Sequence, residues 1–547
     1  KKQFLTPLEG IHLNSRISRN VTASSTLTYL YILASIALFT LLIACINFMN
    51  LSTARSSKRC AEVGIRKVLG AETGSLIRQF LGESLLMSFI AFVFALVLTW
   101  LLLPAFNNVS GKNLSFSFVQ QPWIFIASLA LTIVTGFIAG SYPAFYLSSF
   151  KPVKVLKGRF SNSLAAISLR KALVVFQFFI SVVLIVASVV IGNQMHYMRS
   201  KDLGFEKDRQ IVIPLRSQTA KSVYASFKNE LGRLQQVQSV GASKYYPGIF
   251  NPSDNPFYRE GQTMNDAKST RTNRVDANFL QTLGIQPIAG RLFSEQFPAD
   301  TNFRVILNET AIKEIGFPSA AASIGKKVFF DWQGQTYSFD IIGVVKDFHY
   351  QDLHLPITPY AFHLNSDPYY NYLLVHARPG DVGPLLKSIE ATWRSVNANE
   401  PFEYSFLDDD FQKNYDAENK LSAIVGYFTF IAILISCLGL FGLATFTAEQ
   451  RTKEIGVRKV LGASIAAIVA LLSKDFLKLI TISICIASPL AWYVMSKWLQ
   501  DFAYRTNISW TVFAITAAVA LSIALITISF QAIRAALSNP VKSLRTE

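Results

Sequence analysis

Seven stretches of the chain, each about 20 residues long, are almost continuously apolar: Leu27–Asn50, Phe80–Leu103, Trp123–Leu147, Lys171–Asn193, Ile424–Thr447, Phe476–Trp498 and Trp510–Ile533. About 20 residues is what an α-helix needs to cross a ~30 Å hydrocarbon core, so each run predicts a membrane-spanning helix. Between the fourth and fifth runs lies a polar interval, 194–423, with a different periodicity. Ile211–Leu215, Val237–Ser243, Thr270–Asp276, Phe303–Asn308, Tyr337–Val345 and Tyr372–Ala377 are short alternating or β-branched runs that predict strands. Ala220–Gln236 and Val382–Val396 have helical spacing, and Pro247-Gly248, Gly284, Gly290 and Pro379-Gly380 punctuate the intervals. The pattern predicts a polytopic α-helical membrane protein carrying an α+β extracytoplasmic domain of roughly 200 residues, large enough for a core of its own.

Charge orients the spans. The loop at 51–79 carries Arg55, Lys58, Arg59, Arg66, Lys67 and Arg78, and the loop at 148–170 carries Lys151, Lys154, Lys157, Arg159 and Arg170. Arg451, Lys453, Arg458, Lys459 and Lys474 occupy 448–475, and the tail adds Arg534, Lys542 and Arg545. The alternate loops, 104–122 and 499–509, hold only Lys112 and Arg505. Short loops rich in Lys and Arg stay cytoplasmic, which places the polar interval outside. Trp123 and Trp510 then open matching spans at the outer interface, where indole rings settle.

A ten-residue phrase occurs twice, as Glu62-Val-Gly-Ile-Arg-Lys-Val-Leu-Gly-Ala71 and Glu454-Ile-Gly-Val-Arg-Lys-Val-Leu-Gly-Ala463, 392 residues apart. At the same offset Cys45 matches Cys437, Arg59 matches Arg451, and Trp100 matches Trp492, so the repeat is a unit of roughly a hundred residues. Each copy has three spans that start outside and end inside. One more crossing is needed between the copies, and Lys171–Asn193 supplies it. The same logic requires a span before Lys1, so eight spans are expected of the intact protein against seven here. Both copies close alike, with Pro152-Val-Lys-Val-Leu-Lys157 answering Pro540-Val-Lys-Ser-Leu-Arg545. Proline cannot continue a helix, so each third span ends before it. Residues 1–26 are polar, with neither a basic n-region nor a cleavage signal, and do not read as a targeting segment.

Composition agrees: 51% hydrophobic residues, 43 Phe and a mean hydropathy of +0.32 belong to the membrane class. The net charge of +17 invites a nucleic-acid reading, which its distribution removes. Residues 194–423 hold 24 Lys+Arg against 26 Asp+Glu, and the remainder holds 28 against 9, so the excess belongs to the cytoplasmic loops. The four cysteines (Cys45, Cys60, Cys437, Cys485) lie in or beside apolar runs, where Cys45 and Cys437 read as packing residues rather than thiols for disulfide or metal.

The phrase, following an inward-going span, resembles the FtsX-like permease domain of ABC systems. Val275-Asp-Ala-Asn-Phe-Leu-Gln-Thr-Leu-Gly-Ile285, Ala289-Gly-Arg291, Asn308-Glu-Thr310 and Ile341-Ile-Gly-Val-Val-Lys-Asp-Phe-His349 resemble a MacB-type periplasmic core domain. Phe4-Leu-Thr-Pro-Leu-Glu-Gly-Ile-His-Leu13 resembles the end of such a domain. The resemblance implies a remnant of a first periplasmic domain at 1–26 and a first FtsX-like domain at 27–160. A connecting helix at 171–193, a MacB-like core domain at 194–423 and a second FtsX-like domain at 424–547 follow. It further implies a bacterial inner-membrane permease without a cofactor of its own, driven by a cytoplasmic ABC ATPase dimer that binds ATP and magnesium. A periplasmic adaptor and an outer-membrane channel are further partners of this kind, alongside membrane lipid. The expected work is mechanotransmission or export, with peptide, drug or lipoprotein-like cargo.

The candidate site is the doubled phrase: Glu62, Gly64, Arg66, Lys67 and Gly70, with Glu454, Gly456, Arg458, Lys459 and Gly462. Glu62/Arg66 and Glu454/Arg458 have the favourable i,i+4 order for a helical ion pair. Ile65, Val68 and Leu69 make one apolar face, and Gly70 and Gly462 suit helix C-caps. A short helix lying along the membrane, apolar on one side and basic on the other, could dock in a groove of a partner, and a coupling helix is what the resemblance implies. The plainer reading is that these cations set topology and touch headgroups. The sequence has no Gly-x-x-x-x-Gly-Lys-Ser/Thr phosphate loop; Gly70-Ala-Glu-Thr-Gly-Ser75 lacks the lysine, so ATP hydrolysis is expected on another chain.

An ion-coupled transporter would carry ionisable residues at mid-membrane. Here Glu83, Lys171, Asp475 and Lys478 lie at cytoplasmic ends of spans, and mid-span positions read as Leu, Ile, Phe, Ala, Ser and Thr. Glu83 and Asp475 share the 392 offset, as groups facing water or a partner, or as carboxylates snorkelling beside basic neighbours. His349, His354 and His363 suit no helical metal pair, and Asp408-Asp-Asp410 reads as a solvated turn. A membrane sensor whose outer domain binds a peptide is the alternative in another class.

Overall fold

The computed structural model describes residues 27–115, 117, 120–148, 164–301, 303–364 and 369–537. The segment Phe4–Leu13, the cations Lys151, Lys154, Lys157 and Arg159, and both Pro-Val-Lys closings lie outside the described residues, as do the side chains of Arg55, Lys58, Arg59 and Cys60. Helices of nine or more residues run in the order α1 (Leu27–Val68), α2 (Thr73–Ser110), α3 (Pro122–Ser148), α4 (Leu164–Ser200), α5 (Tyr224–Gly232), α6 (Val382–Val396), α7 (Asp416–Gln450), α8 (Thr452–Val460), α9 (Ile465–Leu499) and α10 (Trp510–Leu537).

Six of these are long and apolar enough to cross a membrane, over Tyr29–Thr53, Thr73–Ser110, Pro122–Tyr146, Ser168–Ser200, Asp416–Gln450 and Trp510–Leu537. The seventh expected span, Phe476–Trp498, belongs to the continuous 35-residue helix α9, which is not among the six. Its first half carries Lys474, Asp475 and Lys478, and Pro489 lies within its second half.

The chain forms two compact units. The first comprises the described residues of 27–195, 418–499 and 506–537 and holds the apolar helices. Within it α2 and α3 pack through small residues: a Cβ at Gly140 would lie 2.5 Å from that of Ser84, so only glycine permits this approach. In the second half Val174 and Phe178 of α4, Leu440 and Leu443 of α7, Ile480 of α9 and Ile528 of α10 share one core.

The second unit, 196–417 with 500–505, is built on an 11-stranded mixed sheet. Its strands are β1 (Gln210–Pro214), β2 (Val237–Ser243), β3 (Asp254–Arg259), β4 (Lys268–Val275), β5 (Pro287–Gly290), β6 (Arg304–Asn308), β7 (Lys327–Trp332), β8 (Gln335–Val345), β9 (Tyr360–Leu364), β10 (Tyr372–Ala377) and β11 (Ser405–Phe406). One part, β11-β1-β10-β2, is covered by α5 and α6, with Phe227 and Trp393 edge-to-face at 5.1 Å in the core between them. In the other part the pairing β4-β3-β7-β8-β6-β9 returns to β4 through a parallel β9–β4 ladder, closing six strands into a ring. Phe257, Val305, Leu307, Val328, Ile341 and Val344 share its apolar core. Sheet and helices together give the α+β class.

The predicted strand Val237–Ser243 and helix Val382–Val396 match their observed bounds. The helix expected over Ala220–Gln236 is divided at Val223 and ends at Gly232. Five strands went unpredicted: β3, β5, β7, β9 and β11. The chain Asp254-Asn-Pro-Phe-Tyr-Arg259 hides a strand behind turn-forming residues, and only closure of the ring gives it partners.

Candidate functional site

The doubled phrase adopts different backbones on either side of nearly identical surroundings. The second copy is a helix of its own, α8, set off from α7 at Arg451 (φ −95°, ψ 13°). The first copy is the unbroken end of the 42-residue helix α1, so a separate short helix is formed once, not twice.

Each copy has the same ion pair: Glu62–Arg66 and Glu454–Arg458 both measure 2.8 Å, and all four side chains are at least 42% exposed. A helical pair of this kind contributes about 0.3–0.5 kcal/mol, too little to explain why the phrase has its form. Both copies end in a left-handed glycine, Gly70 at φ 91° and Gly462 at φ 88°. The following N–H reaches back five residues, from Ala71 to Arg66 O at 3.0 Å and from Ala463 to Arg458 O at 2.9 Å, the bond of a Schellman cap. No atom crowds either glycine, so the requirement is backbone conformation rather than space.

The lysines face inward. Lys67 Nζ donates to Ser148 O at 2.5 Å, and Lys459 Nζ to Ala536 O at 2.6 Å, so each answers a carbonyl in the last turn of the third helix of its own repeat. A cation there satisfies an orphan carbonyl and complements the helix dipole. Val63 and Gly64 are buried, as are Ile455 and Gly456. Val63 packs with Leu76, Phe80 and Ala144, and Ile455 with Ile468, Leu472 and Ala536. All four pairs are related by the 392-residue offset. The sequence reading missed this anchor, because the offset pairs equivalent positions of the two copies and does not show which residues within a copy touch.

Opposite the anchor, the predicted apolar face is uncovered. Ile65, Val68 and Leu69 are 54, 59 and 81% exposed, and Val457, Val460 and Leu461 are 48, 65 and 79% exposed. Fully burying one such side chain is worth about 1.5–3 kcal/mol, several times an exposed ion pair. Each copy therefore presents a glycine-capped helix end with two aliphatic side chains and an exposed leucine beside an arginine.

The family model for the FtsX-like permease C-terminal region matches residues 34–152 and 426–540, and that for the MacB-like periplasmic core domain matches 172–391. The chain belongs to the FtsX-like, MacB-type permease family. The permease is a multi-pass membrane protein with a periplasmic-type domain. It is 31% identical over 134 residues to the macrolide export ATP-binding/permease protein MacB of Bdellovibrio bacteriovorus, covering 24% of this chain and 20% of that one. It is 30% identical over 144 residues to MacB 1/2 of Paracoccus denitrificans, covering 26% and 21%. The matches thus span about a fifth of the curated relatives' length. The periplasmic region of MacB from Actinobacillus actinomycetemcomitans aligns with 39% of the chain and 96% of its own, at 17% identity and a TM-score of 0.29.

In this permease the segments that carry the periplasmic resemblance interlock. Asn308 caps the short helix Glu309–Ile315, accepting from Ala311 N–H at 3.0 Å, and its amide donates to Asp347 at 2.8 Å. Asp347 also accepts from the Thr310 N–H and hydroxyl, at 2.9 and 2.7 Å, while its own N–H donates to Glu309. Arg291 grips Asp300 through two bonds of 2.6 and 2.7 Å. These motifs hold loops in place; their polar atoms are spent on one another.

The remaining sequence candidates resolve individually. Asp475 pairs with Arg451 at 3.2 Å, whereas Glu83 accepts from the neutral amide of Gln79 at 3.3 Å. Asp410 is not in a solvated turn. It sits in the first turn of the helix Leu407–Lys413 and accepts from Lys413, Ser405 and Tyr246. Burial alone would raise its pKa, but those three donors hold it below the usual carboxylate value. His349 stacks edge-on against Tyr504 at 4.5 Å, and His354 pairs with Asp352 at 2.8 Å. Polar side chains are also buried among the apolar helices: Asn50, the last residue of its apolar run, and Gln177 are 0 and 2% exposed, and Ser181 and Ser436 share a 2.9 Å hydrogen bond.

Proposed function

We propose that the permease is the membrane subunit of an ABC-type export or mechanotransmission system of the bacterial inner membrane, and that the two phrase ends are its handles for a cytoplasmic ATPase dimer. The observation that carries this reading is the pair of exposed leucines, Leu69 and Leu461, held in matching positions by matching anchors. A topology signal needs positive charge and nothing more. A docking knob needs an apolar tip, a capped end and a rigid base, and each copy has all three.

ATP-driven closure of the partner draws the two handles together. Lys67 and Lys459 make each handle move with the third helix of its repeat, and the unbroken helix α7 carries the displacement along its length. Motion, rather than passage through the bilayer, is the output; among the described residues the charged groups of the spans lie at their ends. Cargo of peptide, drug or lipoprotein type, and an adaptor and outer channel beyond the membrane, belong to the same reading.

Photo-crosslinking tests it. A benzoylphenylalanine at position 69 or 461, irradiated in cells, is expected to capture an ABC ATPase subunit, whereas the same group at outward-facing Trp332 captures none. Capture of lipid alone at both positions contradicts the reading.

A further inference from the structure

The six-stranded ring of the second unit has an open mouth. A cleft of about 600 Å³ there is bounded by Thr272 and Arg274 of β4, His363 of β9, Arg304 of β6, Phe339 of β8, and Trp332 of β7. Barrel mouths and clefts of this size are where compact proteins hold small ligands.

Two features of the mouth do not follow from folding. One is aromatic: Trp332 is 60% and Phe303 56% exposed, on either side of Phe330 and Phe339, whose rings stack at 5.8 Å. Phe303 adopts φ +54°, a left-handed conformation that bulky residues avoid, and its ring meets Phe339 edge-on at 5.6 Å. Strain of this sort gathers at ligand sites. The other is charge. Arg304 is paired with Asp340, and Asp254 with Arg271 at 3.7 Å, so these cancel. Lys244 and Arg274 have no carboxylate within ion-pair distance among the described residues. Their backbones are joined by a 2.9 Å hydrogen bond from Lys244 N–H to Arg274 O, which fixes the two cationic stems side by side. Two cations without an ion-pair partner among the described residues, Lys244 lying over the Tyr245 ring at 5.6 Å, thus flank an aromatic floor.

We propose that this mouth binds a small amphipathic anion, with a carboxylate or phosphate head held by Lys244 and Arg274 and an apolar body lying on Trp332, Phe303 and Phe330. An arginine and a lysine supply charge-assisted hydrogen bonds to such a head, and the rings supply a flat apolar surface for the rest. The site is independent of the coupling role and stands or falls without it.

The test is equilibrium dialysis of radiolabelled 1-naphthylacetate against the full chain in phosphatidylcholine nanodiscs, with empty nanodiscs subtracted. Saturable binding is expected, at least tenfold tighter than that of the neutral 1-naphthylacetamide. Lys244→Gln/Arg274→Gln is expected to weaken it at least tenfold and Trp332→Ala severalfold, while Lys244→Arg binds as the parent does. Competition by monomeric dihexanoyl phosphatidate assigns the site to lipid-like phosphates, and its absence to free carboxylates; either supports an anion site. Equal binding of acid and amide, unaltered binding in the double variant, or no saturable binding of either probe overturns the proposal. The double variant changes side chains at the cleft rim, and an unchanged near-ultraviolet circular dichroism spectrum verifies its fold.

Discussion

Asn47 on α1 lies against Gly439 on α7, so closely that a Cβ on the glycine would stand 2.7 Å from Asn47 Oδ1. The two positions are counterparts, 392 residues apart, so each repeat meets the other at the same point of its own first span. Leu51 presses on Gly442 nearby, and the counterpart of Gly442 is Asn50. A contact between equivalent positions is what a two-fold relation between fused halves requires. The consequence is a tight, glycine-dependent seam. Gly439→Ala is expected to cost about 1–3 kcal/mol by overpacking and to lower the thermal midpoint in detergent by a few degrees. Adding Asn47→Ala should restore most of it. An unchanged midpoint in the single variant contradicts the close seam.

Lys228 and Asp276 form a buried pair at 2.8 Å, 12 and 6% exposed, and Asp276 also accepts from the Tyr224 hydroxyl at 2.8 Å. Removing one partner strands a charge inside the second unit. Lys228→Met is expected to destabilise that unit by about 3–5 kcal/mol in urea unfolding, far more than Arg394→Met, whose pair with Glu390 is exposed. Similar effects of the two substitutions would refute a buried role for Lys228.

Acid should weaken the same unit between about pH 6.5 and 4. Burial, aided by Lys201, pushes the His349 pKa from near 6.5 down to about 4, against weaker opposite effects of Asp202 and Asp347. The folded state therefore keeps this imidazole neutral at pH values where the unfolded chain protonates it. Its contribution is complete above about pH 6.5, falls as pH drops through the window, and levels off below about 4. The loss is on the order of 3 kcal/mol. His349→Gln should flatten the pH dependence of the urea midpoint in this window, and an unaltered slope counts against it.

Six apolar helices were legible because lipid demands long apolar runs, which leave a one-dimensional trace, as in Leu27–Asn50. The doubled phrase was legible as a repeat and as a capped helix end. What escaped were contacts made across the chain. Lys67 and Lys459 read as cations offered to a partner, yet each is tied to a third-helix carbonyl 81 or 77 residues away. The strand Asp254–Arg259 and the ring it completes need pairing with Lys268–Val275 and Lys327–Trp332, which no local propensity announces. Asp410 looked solvated because one of its donors, Tyr246, comes from 164 residues away in the chain.

The same contacts decide how coupling should be measured. Reversing Arg66-Lys67 and Arg458-Lys459 to acidic residues would also cut the lysine anchors, so a loss of function there has two causes. Leu69 and Leu461, 81 and 79% exposed, are free of that confusion. The direct measurement is recovery of the ATPase subunit with the affinity-purified full-length permease, for the parent and for Leu69→Gln/Leu461→Gln at equal expression. Losing two such apolar contacts, at about 1.5–3 kcal/mol each, predicts at least a tenfold fall in ATPase recovered, with the thermal midpoint of the permease unchanged. Undiminished recovery in the double variant would contradict the claim that these helix ends are the handles.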